Sequence, residues 1–69
     1  MMKYAVIFEK GASNYSAYVP DLPGCIATGA TFDDVEKLIR EGIRIHIDGL
    51  LEDGLTVPQP STICEYVET

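Results

Sequence analysis

The chain has 69 residues, 46% of them hydrophobic, and eleven acidic side chains against five basic ones give a net charge of −6. That length allows one small domain over residues 1–69, and the composition excludes a disordered chain. The acidic balance argues against nucleic acid as a direct partner, since phosphate binding needs a basic surface, and it suits a basic protein partner.

Lys3 to Lys10 reads as a first strand, with Tyr4, Val6 and Phe8 on one face and Ala5 and Ile7 on the other. Both faces are apolar, the pattern of an interior strand covered on two sides. Gly11 to Asn14 is a turn, and Tyr15 to Val19 completes a hairpin. Pro20-Asp21-Leu22-Pro23-Gly24 then forms a rigid connector, because two prolines remove backbone donors and Gly24 permits a positive φ. A short strand, Cys25 to Thr28, leads through Gly29-Ala30 to the helix.

The helix spans Thr31 to Gly54. Thr31 is an N-cap residue, Asp33 and Asp34 suit the positive end of the helix dipole, and Gly54 suits a left-handed stop. At about 100° per residue, Val35, Leu38, Ile39, Ile43, Ile45, Ile47 and Leu50 share one arc, opposite Lys37, Arg40, Glu41, Arg44 and Asp48. The apolar arc covers roughly 200°, twice what a helix docked once requires. Gly42 and Gly49 lie on that arc, and their helical cost, on the order of 1 kcal/mol each, points to close approach of another backbone from the sheet or a second subunit. Asp33–Lys37, Glu36–Arg40 and Arg44–Asp48 are spaced to pair along the solvated face.

Leu55 to Ser61, with Pro58 and Pro60, favours an extended path back along the helix to a last strand at Thr62 to Val67. A strand–helix–strand passage in one sheet implies a parallel, right-handed crossover. The fold class is therefore α+β, in the order β-β-β-α-β: a small mixed sheet with one helix packed on one face. Apolar residues remain for the uncovered face (Ala5, Ile7, Tyr18, Ile26, Cys64, Tyr66). With the wide helix arc, they imply an exposed patch and a homo-oligomer, a dimer or tetramer. Gly42, Ile45, His46 and Gly49 are the packing or oligomer candidates.

Little here is equipped for chemistry. His46 lies near the centre of the apolar arc without a nucleophile or carboxylate beside it, and reads as a half-buried histidine bonding to backbone or a neighbouring subunit. Cys25, Cys64 and His46 lack zinc-motif spacing. They are far apart, have no CxxC spacing, and follow a chain start without a secretory leader. The two cysteines therefore read as reduced, buried hydrophobes of a cytoplasmic protein. No apolar run approaches membrane-spanning length. Asp33, Asp34 and Glu36 already have a structural reason to sit at a helix start. There is no phosphate loop or nucleophile elbow. No catalytic, metal or cofactor residue is assigned. Asp21 divides evenly between turn chemistry and partner contact.

Tyr15-Ser16-Ala17-Tyr18-Val19-Pro20-Asp21-Leu22-Pro23-Gly24-Cys25, followed by Gly29-Ala30-Thr31-Phe32-Asp33-Asp34-Val35, resembles the HicB-like (UPF0150) family, as do Ile45 to Leu50 and Gly54 to Ser61 with its P-x-P-S exit. The resemblance covers nearly the whole chain. It implies a partly degraded ribonuclease H-like fold and the antitoxin half of a type II toxin–antitoxin pair, whose partner is a HicA-like toxin, small, basic and mRNA-cleaving. It implies a binding protein rather than an enzyme. Many family members continue into a DNA-binding segment, which this sequence lacks at Thr69, so no direct specific DNA binding is expected. The partner surface is expected to include Pro20, Asp21, Leu22, Pro23 and Gly24. The alternatives are an orphan homo-oligomeric binding domain with another partner and, from a different class, a metal-dependent nuclease. For the nuclease, Glu9, Glu65 and Asp21 are too sparse a carboxylate set.

Overall fold

The computed structural model describes residues 2–69. Its regular elements are three strands, β1 (Ile7–Lys10), β2 (Tyr15–Tyr18) and β3 (Ile26–Gly29), followed by one helix, α1 (Phe32–Glu52). The strands form an antiparallel sheet in the order β1-β2-β3. The first turn is closed by the Gly11 N–H donating to Asn14 O at 2.8 Å.

The register separates two faces. Phe8 pairs with Ala17 and Ala17 with Ala27; this row faces α1, where Ala17 is buried with Val35 and Ile39. Ile7 pairs with Tyr18 and Tyr18 with Ile26, and this second row lies on the face away from the helix. Between β2 and β3 the connector folds inward. Val19 N donates to Cys25 O, Leu22 N to Val19 O and Cys25 N to Leu22 O, at 3.0–3.1 Å, with Gly24 at φ +84°. This tight path carries Val19, Leu22 and Cys25 into the core.

The helix is set as its sequence dictates. Thr31 has extended backbone angles and its Oγ1 accepts from the Asp34 N–H at 3.1 Å. Asp53 closes the other end, followed by Gly54 at φ +70°. Of the three spaced charge pairs, Glu36–Arg40 forms, at 3.3 Å, and it is the one ion pair among the described residues. Phe32 packs its ring against Phe8 (centroids 4.5 Å apart) and edge-on to Tyr15 (6.4 Å), tying the helix start to the hairpin.

Four expectations are corrected. Residues 62–67 make no strand, so the sheet is wholly antiparallel and has no crossover. β1 is consequently an edge strand rather than an interior one; its two apolar faces reflect core contact on one side and the exposed row on the other. Cys64 is exposed, while Cys25 is buried, and both are free. Within the chain the sheet does not crowd Gly42 or Gly49; the glycine pressed between sheet and helix is Gly29, and Gly11 is pressed by Asn14 in the first turn. A Cβ at Gly29 would lie 3.1 Å from Val35 Cγ2, whereas one at Gly42 meets Cys25 Sγ at 3.9 Å and one at Gly49 meets nothing within 4 Å.

Candidate protein-binding surface

Asp21 sits where two distant stretches meet. Its carboxylate accepts four hydrogen bonds from the chain after the helix: Ser61 N (2.9 Å) and Thr62 N (3.0 Å) to Oδ2, and Ser61 Oγ (3.1 Å) and Thr62 Oγ1 (2.8 Å) to Oδ1. The backbone donors of Thr62 and Ser61 stabilise the charged form and hold its pKa at about 2, below the ordinary 3.8. A neighbouring tether has Tyr4 Oη donating to Pro58 O. The prolines of the exit segment free no further donors, so the serine and threonine that follow supply the contacts. Sequence reasoning divided Asp21 between turn and partner; it did not foresee a clamp 40 residues long-range, although the P-x-P-S exit carried the signal.

The other connector residues diverge in accessibility. Leu22 is fully buried (0% exposed). Pro20 is half-buried, and Pro23 and Gly24 are exposed. Pro23 and Gly24 lead through Cys25 to Ile26, which is 71% exposed at the end of the Ile7–Tyr18–Ile26 row. This row, with Glu9, Ser16 and Thr28 beyond it on the same face, makes an apolar strip bordered by polar and acidic groups. Patches of that kind mark interaction sites.

On the helix, His46, Gly42 and Gly49 are half-buried, and Ile45 and Leu38 are exposed on the flank of the packed arc. These do not join the connector into one site; the helix flank and the sheet strip lie on different faces. Burial raises the Cys25 thiol pKa, which keeps it protonated and inert. Among the described residues no three His, Cys, Asp or Glu side chains converge as a metal site. The arrangement offers shape, apolar area and negative charge.

A protein-family model described as the HicB_like antitoxin of bacterial toxin-antitoxin system matches residues 4–69. The chain belongs to the HicB-like antitoxin family. An uncharacterised 14.9 kDa protein from the rep-hol intergenic region of Haemophilus phage HP1 is 36% identical over 66 residues, 96% of this chain and 50% of that one. The chain thus spans half the length of that relative. A UPF0150 protein of Synechocystis is 34% identical over 61 residues, 87% of this chain and 77% of its own. A UPF0150 protein of Helicobacter pylori is 33% identical over 49 residues, covering 71% and 68%. Among solved structures, a chain of a HicA3 and HicB3 toxin-antitoxin complex superposes with a TM-score of 0.72 at 32% identity, over 87% of this chain and 70% of that one. Within this HicB-like domain no described helix is long and apolar enough to cross a membrane.

Proposed function

We propose that this HicB-like domain is the antitoxin half of a type II toxin–antitoxin pair, acting in the cytoplasm by binding a small basic HicA-like toxin rather than by catalysis. The observation that carries the reading is the match in both sequence and fold to a chain of a HicA3–HicB3 complex. The net charge of −6 supports it, since an acidic surface steers a basic partner and competes with its RNA. The sheet strip of Ile7, Tyr18 and Ile26, with exposed Pro23 and Gly24 beside it, is the proposed contact surface. Asp21 and Leu22 serve it from beneath, by fixing the connector's shape.

The test is co-expression with a HicA-like toxin, followed by affinity purification and an RNA-cleavage assay. A stable complex that suppresses cleavage is the expected result; a toxin that remains active and unbound refutes the reading. Ile26→Lys locates the surface. Adding positive charge at the strip should weaken the complex by roughly thirtyfold or more, the scale of an interface hot spot, with the circular dichroism spectrum unchanged. Unaltered affinity removes the strip from the interface.

A further inference from the structure

The body of this protein is incompletely closed on one side, and the chain carries a segment suited to close it. β1 bonds only to β2, so its outer edge has unpaired backbone donors and acceptors. Such edges are ordinarily covered, because they template pairing with another strand. Across from that edge runs a groove of about 690 Å³, walled on one side by Val6, Ile7, Phe8 and Phe32 and on the other by Ile63 to Tyr66 of the same chain. Ile63, Tyr66 and the following Val67 are strand-forming in type, yet Ile63 and Val67 are 85% and 79% exposed and Tyr66 is fully exposed.

The dimensions agree that surface is left over. The radius of gyration is 13.1 Å and the long axis 40 Å, where a compact chain of this length has a radius of about 11 Å. The accessible surface is 5493 Å², against roughly 4,300 Å² for a folded monomer of this mass. The excess exceeds the roughly 800 Å² that each partner covers in a stable interface. The Asp21 bonds to Ser61 and Thr62 fix the segment's root and hold it across the groove from its own β1. Lys3 precedes β1 and Lys10 ends it, with Glu9 between them, while Glu65 and Glu68 lie in and just past the segment, so a net positive strand side faces a negative segment.

We propose that residues 62–67 of one copy enter this groove in a second copy and pair with the free edge of its β1, giving a strand-exchanged homodimer. The exchange satisfies the backbone of both β1 and the segment, and it brings Ile63 and Val67, which share one strand face, into contact together. The proposal is independent of the antitoxin reading.

The experiment divides a cysteine pair between two differently tagged chains. One carries Ile7→Cys with Cys64→Ser; the other keeps Cys64. Cys25 is buried and stays as it is. Mixed and exposed to mild oxidant, they should form a disulfide-linked pair at least about a hundredfold faster than a control with Ser13→Cys in place of Ile7→Cys, since docking raises local concentration toward the millimolar range. Light scattering at tens of micromolar should give a dimer for the native chain and a monomer for Glu65→Pro, which removes a ladder donor, with helical circular dichroism retained in both. Equal cross-linking rates at positions 7 and 13 overturn the proposal. So does a monomeric native chain, or a disulfide that forms only within a single chain carrying both Ile7→Cys and Cys64.

Discussion

One carboxylate shows how a turn residue acquires a long-range duty. Asp21 bonds four donors on Ser61 and Thr62, and an amide in its place keeps one acceptor oxygen and presents donors toward donors. Asp21→Asn should therefore release the exit segment while the sheet and helix persist, seen as faster hydrogen exchange at the Ser61 and Thr62 amides. Because its pKa in the fold, about 2, lies below the ordinary 3.8, the charged form is the one the fold favours. Its stabilisation is fully present above pH 4, fades as pH falls through that interval, and is gone below the folded value. Acid titration of those two amides should show this loss in the native chain and a flat profile in Asp21→Asn. Leu22, one position on, is purely internal. Leu22→Ala should cost about 2–5 kcal/mol, measured by urea unfolding, a large share of what a domain this small possesses.

The helix obeys local rules at its ends and leaves slack in its middle. Thr31 donates nothing to the core, but its Oγ1 accepts the Asp34 N–H; Thr31→Ala should lower stability by about 1 kcal/mol. Gly49 contacts nothing within 4 Å of a built Cβ, so Gly49→Ala should raise the stability of an isolated domain by up to about 1 kcal/mol. A loss in place of that gain, with a concentration-dependent melting temperature, would show that another backbone approaches the helix there in an assembly. At β1, alternation in the sequence correctly assigned which residues share a face, and Phe8 and Ile7 do point to opposite sides. Alternation is silent on neighbours, so it could not distinguish an edge strand from an interior one.

The whole molecule is an acidic body with an apolar strip on one face of its sheet. If the proposed toxin contact holds, long-range charge should govern encounter more than retention. Raising salt from about 0.05 M to 0.5 M should slow association substantially and leave dissociation nearly unchanged, as read by stopped-flow mixing with the toxin. A dissociation rate that rises in step with salt would instead place ion pairs at the centre of the contact.

The sequence by itself determined the three-strand order, the hairpin, the capped helix and the family. Each of these is written in local chemistry: period-two and period-3.6 hydrophobicity, turn glycines, a capping threonine, and the P-D-L-P-G connector followed by P-x-P-S. The expected apolar surface was also legible, since Tyr18 and Ile26 are β-type residues with no partner face left to cover them, and both are exposed. Tertiary structure alone decided three things. It turned Asp21 into a clamp, because a hydrogen bond across 40 residues depends on where the helix delivers the chain. It placed the glycine that lets strand and helix approach at Gly29 and not on the helix arc, since steric room is a property of packing and not of helical phase. It left residues 62–67 without a ladder, because β-propensity states only that a segment can pair, while pairing itself requires an open edge at the right distance.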